Sequence, residues 1–470
     1  MKRDKTALHE HLEALFQKRG CSGMAVCIRG PEGVIFEEGF GFRNEGRDLP
    51  VDGDTIFGIA SMSKSMTALA CCILHAEGKL SLDDPITKYF PKLHIAGAPD
   101  ECVTLKTVAM HRTGLPPLPP LEWSISLNSK EEDSPWHRYM METAPNKMET
   151  VDQLVDYLAE GDFEPLGPPG EYMSYSNDGY ALLSYVVDMA AGMTLEEFLD
   201  QRIFKPLGME RSVLDEDCSQ AKAMAGGNIT SLFEKDFETG QLYCDDDWSV
   251  LPPFRGCACV KSTADDMSRY YKMLADGGVW EGRQVIPAEA VELMVGREFP
   301  LRRQPYYCMG LNKCRIADQA VCYHTGGLHG VSSIGGFTES GYSSVVLCNM
   351  GDVEMEEFQW VCYNYIMGLP LDITHRWAEP NGESFSVPEA LCGDFLSKEG
   401  MPAHTIVTWE DGQLKADYNG RKTLLLYCGG LVFAAVSEAD PSKRISTFQF
   451  FLRDGKAKMV RCYNRIYQRV

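Results

Sequence analysis

Long apolar runs are missing from this 470-residue chain. No stretch approaches the roughly 18–20 residues that cross a bilayer, which excludes a helical membrane span. Basic residues are in short supply. Lys and Arg number 45 against 67 Asp and Glu, a net charge of −22, which argues against nucleic acid and anionic membrane as partners. Metal-ligand spacing is absent as well. The 17 cysteines are scattered, and the tight clusters, Cys71-Cys72 and Cys257-Ala258-Cys259, lack the Cys-x-x-Cys or Cys/His pattern of a zinc site. No export signal is expected: Leu8, Leu12, Leu15 and Phe16 recur at helical spacing among charges, unlike the continuous apolar core of a signal peptide. Reduced, mostly buried thiols in a cytoplasmic protein are therefore expected.

What remains is a chain with 44% hydrophobic residues, enough for a large core and two domains. Residues 381–470 carry 12 basic and 10 acidic side chains, +2 overall, against −24 for residues 1–380. That contrast sets a boundary near Pro380, with domains expected over 1–375 and 381–470. Strands are predicted at Met24–Arg29, Gly33–Glu37 and Gly39–Phe42, separated by Gly and Pro turns. Helical periodicity follows at Val151–Glu160, Asp178–Ala191, Leu195–Phe204 and Ser262–Asp276. Strands return at Ser332–Phe337 and Tyr342–Leu347, before a helix at Val353–Tyr365. This order predicts an α+β fold: one antiparallel sheet closed by both ends of a domain and flanked by helices, with a helical subdomain inserted. Residues 116–150 read as a long irregular segment. After Pro380, short alternating strands bounded by Asp-Gly turns predict a small all-β barrel or sandwich.

Ser61-Met62-Ser63-Lys64 carries the clearest chemical signal. A serine and a lysine three residues apart on a helix share one face. A serine hydroxyl is a poor nucleophile until a base takes its proton. Lysine can do so when burial or a nearby cation lowers its pKa from about 10.4. The run Met66–Leu74 behind it, ending at Gly78, predicts a helix whose N-terminus favours negative charge at the Ser61 oxygen. A second match, Ser219/Lys222, lies in the polar stretch Asp215–Gln220 with no strong helical period, and serves as a decoy.

Two further elements complete a candidate site. Tyr175-Ser176-Asn177 is the only Tyr-x-Asn in the chain, in a turn-rich stretch before a helix. Its phenol can relay protons and its amide can bind a substrate carbonyl. His324-Thr325-Gly326-Gly327, the only His-x-Gly, precedes an apparent edge strand at His329–Ser333. Its glycines let a substrate lie close to backbone amides, and its imidazole offers a cation or a hydrogen bond.

These elements, in this order, resemble the serine β-lactamase and penicillin-recognising hydrolase superfamily, in its class C-like branch. Asp54–Ser61, His111–Pro116, Pro169–Asn177, Pro206–Met209, Ser262–Met267 and His324–Gly327 match further blocks of that family, over roughly residues 10–370. The resemblance implies that Ser61 is acylated, that Lys64 is its base, and that Tyr175 carries the proton to the leaving group. It assigns Asn177, Thr325 and Gly326 to substrate binding, His324 to the substrate's polar end and to Tyr175, and the Ser61 and Gly327 amides to the oxyanion hole. Which of Lys64 and Tyr175 takes the first proton stays open. His324 stands where many lactamases have Lys. This is similar to D-amino-acid-specific peptidases and some esterases of the branch, and points away from antibiotic hydrolysis. The C-terminal strands resemble the lipocalin-like domains appended to such peptidases, which frame the pocket or mediate assembly into a homo-oligomer.

The leading expectation is a serine hydrolase acting on small amides or short peptides containing D-residues, without a metal or other cofactor. A carboxylesterase with incidental β-lactam hydrolysis is the alternative within the same chemistry. A non-catalytic binding or assembly protein on the same fold is the alternative outside it.

Overall fold

Alternating strands and helices assemble, in a computed structural model, into two units; residues 4–95, 98–128, 134–236, 239–245 and 247–470 are described. The first unit is built mainly from residues up to Asp84 and from Tyr180–His375, the second from Pro85–Leu127, residues 134–179 and Arg376–Val470.

The first unit is organised around a seven-stranded antiparallel sheet. Its order is Tyr306–Tyr307, Asn312–Ile316, Gln319–Leu328, Val331–Thr338, Ser343–Cys348, Gly23–Gly30 and Gly33–Gly41. Met24 pairs with Cys348 and Val26 with Val346, so both ends of the unit close the sheet together. Met24, Val26, Ile28, Ile334, Val346 and Cys348 point to one face, where Leu8, Leu12 and Phe16 of helix Lys5–Arg19 and Phe358 and Cys362 of helix Met355–Met367 cover them. Intervening residues point the other way, as a strand requires. Helix Ala264–Ala275 packs there, capped by Thr263 with Asp265 and Asp266 in its first turn. Burial on both faces explains why these strands read as continuous apolar runs.

Several elements differ from their sequence-based expectation. Gly33–Gly41 is one strand, bent by a bulge opposite Ile28 and Arg29. His329-Gly330 is a turn, and Val331 onward is an interior strand between Gln319–Leu328 and Ser343–Cys348. The helix at Leu195–Leu199 gives way to a π-helical turn at Asp200–Phe204. Helices occupy Pro120–Asn128 and Pro135–Thr143 in the stretch read as irregular, where residues 129–133 lie outside the described residues.

In the second unit, eight strands from Gly393–Ser397 to Arg465–Arg469 form a closed barrel, each antiparallel to its neighbour in sequence. Pairing of Phe395 with Arg469 closes it. Six of these strands fall where the sequence predicts strands; Gly393–Ser397 and Arg465–Arg469, five residues each, are additional. Phe395, Phe433, Phe448 and Phe450 fill the interior, with Phe433 and Phe450 edge-to-face at 5.6 Å. Among the described residues no helix is long and apolar enough to cross a membrane.

The aromatic interior makes a direct prediction. Phe433 is 1% exposed, so Phe433→Ala should destabilise the barrel by about 3–5 kcal/mol through cavity formation and lost contact. A urea titration followed by barrel fluorescence checks it, and an unchanged midpoint contradicts it.

Candidate active site

Ser61 sits in a 3₁₀ turn, Ala60–Met62, that runs directly into helix Ser63–Ala76. The turn begins with Ala60 at φ 44, a left-handed conformation that non-glycine residues seldom adopt. Lys64 lies one turn on, fully buried, and its Nζ donates to Ser61 Oγ at 3.1 Å and to the Cys257 carbonyl at 3.2 Å. The same nitrogen stands 5.8 Å from the Tyr180 ring centroid. Residues 255–260 bracket this turn. Thr67 Oγ1 donates to Gly256 O at 2.7 Å, and Ser63 Oγ accepts from Val260 N–H at 3.1 Å. Gly256 has to be glycine, because a Cβ there would lie 2.6 Å from Ser184 Cβ. The Cys257-Ala258-Cys259 cluster is thus a backbone partner of helix Ser63–Ala76, and both of its thiols are buried.

The third motif lies on strand Gln319–Leu328, beside the same turn. Ser333 Oγ donates to the Ile59 carbonyl at 2.8 Å, and Gly326 pairs with Ser333. A Cβ at Gly326 would overlap both the Ile59 oxygen and Ser333 Oγ, whereas Gly327 is exposed and faces open space. Thr325 is half-buried and His324 is buried. His324 Nδ1 lies 2.5 Å from the Thr325 carbonyl. A carbonyl only accepts, so Nδ1 carries the hydrogen. In the neutral ring Nε2 then accepts from the Tyr307 hydroxyl at 2.9 Å. Burial, with Lys64 adding, holds the imidazole down at about 3, so it is uncharged at neutral pH.

Tyr175 and Asn177 belong to the second unit. Tyr175 is buried, and its ring lies 4.2 Å from that of His111 and 4.3 Å from the Arg465 guanidinium. His111 Nδ1 accepts from Ser176 N–H at 3.1 Å, and its carbonyl accepts from Ser174 N–H at 3.0 Å. Asn177, also buried, is the first residue of helix Asn177–Ala191. Burial pushes the Asp178 carboxyl up to about 7, with the Glu399 charge adding and Arg465 opposing. Sequence reading missed His111, Tyr307 and Arg465 as site neighbours. His111 stands in a stretch that the resemblance did flag, but no spacing pattern points to the other two.

The decoy pair separates cleanly from the candidate. Ser219 and Lys222 form part of a short helix, Ser219–Ala225, and both are exposed. Among the described residues, Cys27, Glu37 and Asp265 bring a thiol and two carboxylates within 4.8 Å of one another. Burial pushes Cys27 up to about 12, and Asp265 is engaged by Arg29 and Arg269. This trio fits an ion-pair cluster better than a metal site.

Residues 8–359 match the beta-lactamase family. Penicillin-binding protein 4* of Bacillus subtilis (strain 168) is 25% identical over 447 residues, 91% of this chain and 90% of its own. The octameric penicillin-binding protein homologue from Pyrococcus abyssi superposes with a TM-score of 0.66 at 20% identity, covering 99% of both chains. The D-amino acid amidase from Ochrobactrum anthropi SV3 does so with a TM-score of 0.57 at 22% identity, covering 73% of this chain and 92% of that one. The chain belongs to the beta-lactamase family and is a serine hydrolase.

Proposed function

We propose that this hydrolase cleaves small amides or short peptides containing D-amino acids through an acyl-enzyme on Ser61. The carrying observation is the hydrogen bond of 3.1 Å from fully buried Lys64 Nζ to Ser61 Oγ, at the start of a helix. In acylation uncharged Lys64 takes the hydroxyl proton as Oγ bonds to the substrate carbonyl carbon. The C–N bond then breaks as Tyr175 passes that proton from Lys64 to the departing nitrogen, and water later releases the acid by the reverse path. The Ser61 and Gly327 amides receive the negative charge on the carbonyl oxygen. The space open at Gly327 supports that role, and the buried amide of Asn177 suits a substrate carbonyl.

His324 enters this scheme as an uncharged group. With Nδ1 held by the Thr325 carbonyl and Nε2 by Tyr307, it orients the Thr325–Gly327 strand that a substrate would lie along. The amidase likeness supports D-amino acid amides as the substrate class, with no metal or other cofactor in the scheme. The octameric state named for the Pyrococcus abyssi homologue supports self-assembly of this chain too.

A fluorophosphonate probe read by intact mass tests the nucleophile. Wild type should gain one adduct, while Ser61→Ala should gain none and keep its thermal midpoint; Ser219→Ala should label normally. Lys64→Met should slow labelling by about 10²–10⁴. A labelled Ser61→Ala protein overturns the assignment. A panel of D- and L-aminoacyl amides, dipeptides and short esters tests the substrate class. Higher kcat/KM on D-aminoacyl amides is expected, whereas faster turnover of every ester with no chiral preference makes the protein a carboxylesterase.

The buried histidine makes a prediction about stability. An unfolded imidazole titrates near about 6.5, but in the fold it stays neutral down to about 3. The unfolded chain therefore binds the extra proton between those limits. Stability is present above about pH 6.5 and is lost as pH falls toward about pH 3. The thermal midpoint should drop further in wild type than in His324→Gln between about pH 7 and about pH 4.5. Parallel curves contradict it.

A further inference from the structure

The last two barrel strands, Lys456–Cys462 and Arg465–Arg469, are joined by the two residues Tyr463 and Asn464. Tyr463 holds φ 57, the positive φ that a two-residue hairpin takes at its first turn position. Contacts beside this turn lead to Tyr175. The Asn464 carbonyl accepts from Tyr175 N–H at 2.9 Å, and Ser174 Oγ accepts from Ile466 N–H at 3.3 Å. The hairpin therefore holds the Tyr175 N–H and the side chain of the residue before it. Leu166 packs with Met459 and Ile466 of these strands, and Tyr172 meets Phe451 of the preceding strand Arg444–Arg453 edge-to-face at 5.2 Å.

Arg465 acts on the ring itself. Its guanidinium carbon stands 4.3 Å from the Tyr175 centroid. Nε and Nη2 donate to the two Glu399 carboxylate oxygens at 2.5 and 2.7 Å, and Nη1 donates to Asn464 Oδ1 at 2.8 Å. Each guanidinium nitrogen thus has a fixed acceptor, which sets the plane of the group and leaves its face for the aromatic ring. Both partners of the ion pair are largely shielded, at 19% and 22% side-chain exposure, where such contacts are screened little by salt. Arginine stays protonated at every working pH, while His324 is uncharged.

We infer that Arg465 is a positioning residue for catalysis: clamped by Glu399 and Asn464, it fixes the Tyr175 phenol and keeps a permanent positive charge on its ring. This rests on the reading of Tyr175 as the proton carrier. It also gives the barrel a chemical task, because the arginine comes from its last strand. A structural role alone would alter folding; a positioning role alters turnover through Tyr175.

The test uses the full chain and the best amide of the substrate panel. Arg465→Met, which keeps bulk and removes charge, should lower kcat by about tenfold to 100-fold while KM moves less than about threefold. Arg465→Lys, which restores a cation without the fork, should recover part of that loss. In a Tyr175→Phe background, Arg465→Met should cost nothing further. Should Arg465→Met fail to fold, Glu399→Gln frees the guanidinium with little change of shape and should lower kcat in the same sense. Unchanged kcat in whichever of these folds, or a full additional loss on top of Tyr175→Phe, overturns the inference. Wild-type turnover in Tyr175→Phe overturns the proton-carrier reading first and the inference with it. A dead Tyr175→Phe beside a normal Arg465→Met overturns the inference alone.

Discussion

A fully buried lysine held against a serine is the constraint on which the first unit is built. Removing an amine from water is costly unless polar groups replace the solvent, and here the Cys257 carbonyl and Ser61 Oγ do so. Supplying that carbonyl requires residues 255–260 to lie directly on helix Ser63–Ala76. Hence Gly256 has room for no side chain, and Thr67 and Ser63 are spent on backbone partners from the same segment. The strand carrying Gly326 is drawn equally close, to the Ile59 carbonyl. A strained Ala60 completes the arrangement, with its backbone in the left-handed region just before Ser61.

Electrostatics divide the labour differently from what residue types suggest. His324 looks like a switchable cation in the sequence, yet burial keeps it neutral and both ring nitrogens are committed to protein partners. Permanent charge beside a tyrosine comes instead from Arg465, in a different unit and from a strand too short to announce itself. The net acidity of the chain has no visible part in either place.

Much of the architecture was legible because it depends on local period. Helix Ser63–Ala76 ends with Gly78 at φ 69, where the apolar run and its glycine stop pointed. Helix Val151–Glu160 carries the capping box its Thr150 and Gln153 allow. Strands buried on both faces were found as apolar runs, with boundaries off by a residue or two. Less legible was everything set by pairing. The stretch at His329–Ser333 read as an edge because its turn glycine hides a central strand, and the barrel's first and last strands showed no alternation long enough to detect.

Ser61 and Lys64 share a helical face by backbone geometry alone, so their meeting was decided by their spacing in the chain. Tyr175 and the His324 stretch were marked as chemistry by residue type and order, which the family match across residues 8–359 supports at the level of fold and reaction class. Only the folded chain decided that Cys257 would face Lys64, that Tyr307 would hold His324, and that Arg465 would lie on Tyr175. Those contacts join residues far apart in sequence, and their formation depends on sheet register and barrel closure. No local pattern encodes such pairings, because the free energy that selects them belongs to the packed core as a whole.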